Sequence, residues 1–237
     1  MIPQVKAEQL PLEFDHTASQ IEDDFIAGEG NALALAHVRS YPAWPHPLTL
    51  LIGPAKSGKT HLGGIWAQRA GAETLTPGNL ATHAERTSGP LLVEDIDRAG
   101  FAEAPLFHLV NRAMRENRPL LMTAREPIAN WPFATDDLKS RARLAAQFTL
   151  ALSDDIQLAQ MFVKLFGDRQ ISVEPKVIAY MVKRMERSSE EAFALAELTD
   201  RLALAKGTAI TRNIAAAALA QRGVTAGELD LEGDDDE

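Results

Sequence analysis

Short apolar runs that alternate with helical patterns, then give way to helices alone, predict an α/β chain. The expected architecture is a parallel sheet covered on both faces, with a small helical lid at its C-terminal end. Two observations carry this. Up to Leu152, strand-length apolar runs and helical stretches take turns; beyond it, every periodic segment reads as a helix. A third observation locates the chemistry: a G-x-x-x-x-G-K-T stretch lies between the first strand and the helix after it.

In chain order, strands are expected at Leu48–Ile52, Glu73–Leu75, Leu91–Glu94, Leu120–Thr123 and Phe148–Leu152. Each is too short for a helix, and all but Glu73–Leu75 are apolar enough to be buried on both sides. Helices are expected between them at His61–Ala70, Asn79–Arg86, Ala102–Glu116 and around Thr135–Ala145. The lid follows as Asp154–Phe166, Pro175–Glu186, Glu190–Lys206 and Thr211–Gln221. The chain divides into an extended tail (1–15), an α/β nucleotide-binding body (16–153), a helical lid (154–223) and an acidic tail (224–237) read as disordered. No internal repeat is apparent.

Composition narrows the function classes. The 237 residues can bury a sizeable core, and 46% hydrophobic with 24% charged residues is ordinary for a globular protein. With no cysteine, disulfides and thiolate metal sites are excluded, and the six histidines show no ligand spacing. The sequence has no membrane-length apolar run and no opening signal peptide, which predicts a cytoplasmic protein without membrane contact. A net charge of −9 argues against broad, nonspecific DNA binding.

The glycine-rich stretch runs Gly53, Pro54, Ala55, Lys56, Ser57, Gly58, Lys59, Thr60, with His61 next. Backbone N–H groups at such a turn wrap phosphates at a helix start, where the helix dipole also favours negative charge. Lys59 is expected to reach the β- and γ-phosphates and Thr60 to offer its hydroxyl to Mg²⁺. The ligand is therefore a nucleoside di- or triphosphate, and the resemblance named below implies ADP or ATP. A second strand ends in Glu94 and Asp95; one carboxylate would hold the Mg²⁺ shell and the other polarise water. Glu94 is assigned to the metal and Asp95 to catalysis.

Near the start lies Gln9-Leu-Pro-Leu-Glu-Phe14. Pro11 favours an extended backbone, so Leu10, Leu12 and Phe14 either fold onto the body or fill a pocket of another protein.

These motifs together resemble the DnaA/Hda group of AAA+ ATPases. GKTHL, DDFIAGEGNALALAHV with Phe25, Gly28 and Asn31, LLVEDID, AREP, LKSR ending at Arg141, and ITRNIAAAAL match the group over roughly residues 9–222. The chain looks more like the shortened Hda branch than the full initiator, because it ends in acid about fifteen residues after the lid, where the initiator continues into a DNA-binding domain. The resemblance implies an AAA+ P-loop NTPase fold with a five-stranded parallel sheet and helical lid. It also implies no direct sequence-specific DNA binding, and docking of Gln9, Leu10, Leu12 and Phe14 on the DNA polymerase sliding clamp. Arg141 is then an arginine finger, with Arg143 as the competing residue. Its target would be ATP bound to the DnaA initiator, making the chain a negative regulator of replication initiation.

Departures from the group bear on mechanism. Glu94 stands where the group has a shorter acid, Thr123-Ala124 where it has a polar sensing residue, and Glu190 where a lid arginine faces the phosphates. A carboxylate there would repel a γ-phosphate, which favours ADP or slow turnover; Arg184 or Arg187 could replace the missing cation. Two other readings stay open: an ATP-driven initiator-like motor or helicase loader, and a passive clamp-binding adaptor. Oligomeric state is also open, a homo-oligomer included.

Overall fold

A computed structural model describes residues 22–82, 88–151 and 154–224. Five strands, β1 (Leu48–Ile52), β2 (Glu73–Leu75), β3 (Leu91–Val93), β4 (Leu120–Ala124) and β5 (Ala146–Thr149), form one sheet in the order β2-β3-β4-β1-β5. Every pairing is parallel, with β4 central and β1 between β4 and β5: Leu48 sits beside Leu120, and Thr49 beside Ala146. The body helices are α1 (Ala32–Arg39), α2 (Lys59–Ala70), α3 (Glu103–Arg115) and α4 (Asp136–Ala142). The lid is α5 (Asp155–Gly167), α6 (Pro175–Arg184), α7 (Ser189–Lys206) and α8 (Arg212–Gln221).

The continuous apolar strands follow from helices on both faces. Leu48 and Leu50 of β1, with Leu91, Val93, Leu120 and Met122, pack against Leu106, Leu109, Val110 and Ala113 of α3 and Leu138 of α4. The alternate residues Leu51, Leu92 and Leu121 pack on the opposite face against Val38 of α1 and Leu62, Ile65 and Trp66 of α2. The side-chain period of two along each strand divides the leucines between the two cores. The lid has a third core of its own, built around Phe162, Phe166, Met181, Leu195 and Ile214.

Local chemistry sets the lid boundaries. Asp154, Ser188 and Thr211 cap α5, α7 and α8 by accepting the backbone N–H of Gln157, Glu191 and Ile214. Pro175 opens α6, where its missing N–H costs nothing, and Gly207 (φ 62°) closes α7.

Three expectations are corrected. The last strand lies at 146–149 and not at 148–152. It is an edge strand with half-buried alternation, so its strongest apolar signal falls past its end; Leu150 still donates to Ile52 O at 2.7 Å. Helix α1 had no counterpart in the expected elements, because its Ala-Leu-rich sequence lacks a sharp polar face. The α2 helix starts at Lys59, inside the glycine-rich stretch and not after it. The helix expected at 79–86 begins at Leu80 and runs into residues outside the described ones. Gln9, Leu10, Leu12, Phe14 and nearly all of the acidic tail likewise lie outside them.

Candidate nucleotide site and an exposed arginine

The loop between β1 and α2 is shaped by positions where side chains are unwelcome. A Cβ on Gly53 would lie 2.3 Å from Leu150 O, and Gly58 takes φ +94° with the Phe25 ring 3.2 Å from where its Cβ would be. Lys56 at the loop apex is also left-handed, at φ 61°. The N–H groups of Ala55, Lys56 and Gly58 in this loop have no acceptor among the described residues. Ser57 Oγ is buried without a partner. Such unspent donors at a helix start fit a phosphate.

Lys59 is buried and donates to Gly53 O and Pro54 O, each at 2.8 Å. Burial lowers its pKa, while the nearby Asp95 carboxylate opposes that shift most strongly. Thr60 is exposed beside Glu94, and its side chain hydrogen-bonds the Glu94 carboxylate. Burial holds the Glu94 carboxyl above its ordinary pKa, and its Oε1 is buried without a partner. The structure thus brings together the two residues assigned to Mg²⁺, one with an unused oxygen. Ser57, Lys59 and the loop amides would hold phosphates, and Thr60 with Glu94 would hold Mg²⁺. The ion would draw charge from phosphate oxygens.

Asp95 sits at φ 49°, just past β3, and its N–H donates to Thr123 Oγ1 at 2.9 Å. Thr123 is fully buried at the end of β4 and so links the tips of two neighbouring strands. Asp97, also buried, accepts from the N–H groups of Arg125 (3.1 Å) and Glu126 (2.9 Å). Asp97 was absent from the sequence-based site. Its available signal was a second acid two residues beyond Asp95, separated by the buried Ile96.

The lid meets this loop through Phe193 of α7, whose ring lies 4.8 Å from Lys56 Nζ. On the other side, Phe25 meets His61 edge-on, with ring centroids 5.4 Å apart. Glu190 lies exposed in the first turn of α7, three residues before Phe193. Both suggested replacements for a lid arginine have partners inside the lid. Arg184 lies 4.1 Å over the Tyr180 ring and donates to Tyr180 O, and Arg187 pairs with Asp155 at 3.0 Å. Both are committed within the lid.

Arg141 occupies the last turn of α4, just before β5. Leu138 and Ala142 bury the other face of this short helix, which leaves Arg141 exposed, and no ion pair or side-chain hydrogen bond engages it among the described residues. The start of α4 is fixed: the Glu103 carboxylate accepts from the N–H groups of Ala134 (2.9 Å) and Thr135 (3.0 Å) and from the Thr135 hydroxyl. These bonds hold its pKa below the ordinary value. Arg143 is exposed as well, at the C-terminal boundary of α4.

The sheet order, the glycine loop after β1 and the helical lid define the fold as that of the AAA+ P-loop NTPases. Solved structures with this fold include domain III of the replication initiation protein DnaA from Thermotoga maritima: TM-score 0.67, 15% identity, 84% of this chain and 95% of that one. The Holliday junction branch migration motor RuvB of Thermotoga maritima aligns at TM-score 0.64 and 18% identity, over 86% of this chain and 72% of its own. AMPPCP-bound DnaA from Aquifex aeolicus aligns at TM-score 0.60 and 18% identity, over 78% and 65%. At these identities the likeness is one of fold. No family model and no curated protein matches the chain. No helix among the described residues is long and apolar enough to cross a membrane.

Proposed function

We propose that this chain binds ADP or ATP with Mg²⁺ at the Gly53–Thr60 loop and acts in trans on a related ATPase. The target is ATP held by the DnaA initiator, so the outcome is negative regulation of replication initiation, with Gln9, Leu10, Leu12 and Phe14 tethering the chain to the sliding clamp. One observation carries the reading: Arg141 is exposed and without a side-chain partner among the described residues, on a helix whose start and inner face are both fixed. A guanidinium that acts on a phosphoryl group of another molecule must be displayed, and Arg141 meets that requirement. The AAA+ fold and the structural likeness to DnaA domain III support the choice of partner.

In this scheme the chain's own site is a holding site. Burial raises the pKa of the Glu94 carboxyl, Glu190 stands in the first turn of α7, and both suggested lid arginines have partners within the lid. Slow intrinsic turnover follows. Turnover of order 1 per second by the pure chain would favour a motor or loader instead.

Arg141→Ala tests the proposal. It should abolish stimulation of DnaA's ATPase, by about 10³-fold or more, while nucleotide and clamp binding persist. Arg141→Lys should restore little, because an ammonium cannot copy the planar fork. Arg143→Ala should cost far less. Normal stimulation by both alanine variants overturns the finger, and loss only in Arg143→Ala transfers it.

A further inference from the structure

The lid carries an apolar groove of about 830 Å³ whose rim includes Phe25, the residue packed against Gly58 of the nucleotide loop. Its floor is formed by Ile156, Ala159 and Val163 of α5, with Ala179 and Val182 of α6, and Ile26 closes one side. Two of these large side chains are strongly exposed, Ile156 at 70% and Val163 at 60%, although the rest of α5 packs tightly into the lid core. Exposed aliphatic pairs on a helix that has a full buried face of its own mark a binding surface.

From this groove and the chain that leads into it, we infer that residues 9–14 of the same molecule dock there, so the clamp-binding peptide has an internal seat that competes with the clamp. The inference rests on the tether reading above for its consequence, but not for its contact. Three features select this occupant. The described chain starts at Glu22 and its next residues, Asp23 and Asp24, already form the rim. The eight steps from Phe14 to Glu22 can span about 26 Å at most, enough to cross a groove beside their own end. The second feature is pattern. In an extended segment Leu10, Leu12 and Phe14 share one face, while Pro11, Glu13 and Asp15 share the other. The third is length. Leu10 to Phe14 spans about 13 Å as a strand, and Ile156 to Val163 rises about 10 Å along the helix.

Leu12 and Phe14 cannot fill this groove and a clamp pocket together. Docking therefore sets the fraction of molecules competent to bind clamp, and nothing in the nucleotide site need change.

The absence of cysteine gives a clean test. In the full chain, Leu12→Cys with Val163→Cys is oxidised at low micromolar concentration, and the bridged species are sorted by mass into monomers and dimers. The control pair is Leu12→Cys with Leu204→Cys, a more exposed lid position outside the groove, at 79%. The Val163 pair should bridge within one molecule about fivefold faster or more, and Ile156→Asp should reduce it to the control rate. In the otherwise unmodified chain Ile156→Asp should tighten clamp binding about three- to tenfold, the reciprocal of a competent fraction of roughly 0.1–0.3. Equal bridging by the two pairs overturns the inference. Bridging only between molecules also overturns it and assigns the groove to a second copy. If no form of the chain binds clamp, the tether reading fails, while the bridging rates still decide whether the peptide sits in the groove.

Discussion

The body and the lid are both built on buried leucines, yet they use polar groups in opposite ways. In the body, the C-terminal ends of β1, β3 and β4 converge on Ser57, Glu94, Asp95 and Thr123, and two of these carry buried oxygens without partners. In the lid, Asp154, Ser188 and Thr211 are spent on capping their own helices, and Arg184 and Arg187 on Tyr180 and Asp155. Unspent polarity at the strand tips lies where a ligand's oxygens would meet it, whereas in the lid the buried Ser189 Oγ, without a partner among the described residues, lies at the start of α7. The contacts joining the two regions include Lys56 to Phe193, Lys164 Nζ to Asp24 O at 3.0 Å, Ile26 against the lid core and Gly28 against the Gln157 side chain.

The separation can be broken most strongly through the lid core. Phe162 is fully buried and stacked on Phe166, so Phe162→Ala should cost about 3–5 kcal/mol. All three tryptophans, Trp44, Trp66 and Trp131, lie in the body. Helical circular dichroism should therefore melt earlier in the variant while tryptophan fluorescence melts near its original temperature. Coincident early melting by both probes would mean that body and lid are one cooperative unit.

Lys59→Ala is the converse, a change in ligand binding without a change in fold. Charge-assisted hydrogen bonds contribute about 1.5–3 kcal/mol, so ADP affinity by calorimetry should fall about 10- to 150-fold, with both melting probes unmoved. Undiminished affinity would remove the loop from the account.

The smallest expected effect is on pH. His37 is sandwiched between Trp44 and Phe148 at 4.6 Å each, with Nε2 2.9 Å from Thr49 Oγ1, and burial lowers its pKa from 6.5. Because the folded body resists protonation there, its stability is full above the unfolded pKa and declines as pH falls through and below about 6.5. Acid should shift the fluorescence melt more than in His37→Gln, which cannot titrate. An equal shift in both proteins would assign the effect to other groups.

What was legible in the sequence followed from short-range spacing. The glycine loop, the β1 and β2 boundaries and the Glu94-Asp95 pair are local patterns whose chemistry demands fixed intervals. Structure that depends on distant partners was not. Asp97 acquires its purpose from the amides of Arg125 and Glu126, and Lys56 acquires its neighbour from a helix more than a hundred residues later. The β5 boundary was misplaced for a similar reason: an edge strand is set by its one neighbour, β1, and its own apolar residues mislead. Sequence could not show, either, that Arg184 lies over Tyr180 and Arg187 pairs with Asp155.

The most direct test of the account measures hydrolysis of ATP bound to DnaA, on DNA-loaded sliding clamp, with and without this chain. The account predicts slow hydrolysis by either protein alone and a large stimulation when both are present. That stimulation should be lost when Gln9, Leu12 and Phe14 are replaced by alanine, although the triple variant keeps its fold and binds nucleotide. Unchanged DnaA turnover in the presence of the folded, nucleotide-bound chain would contradict it.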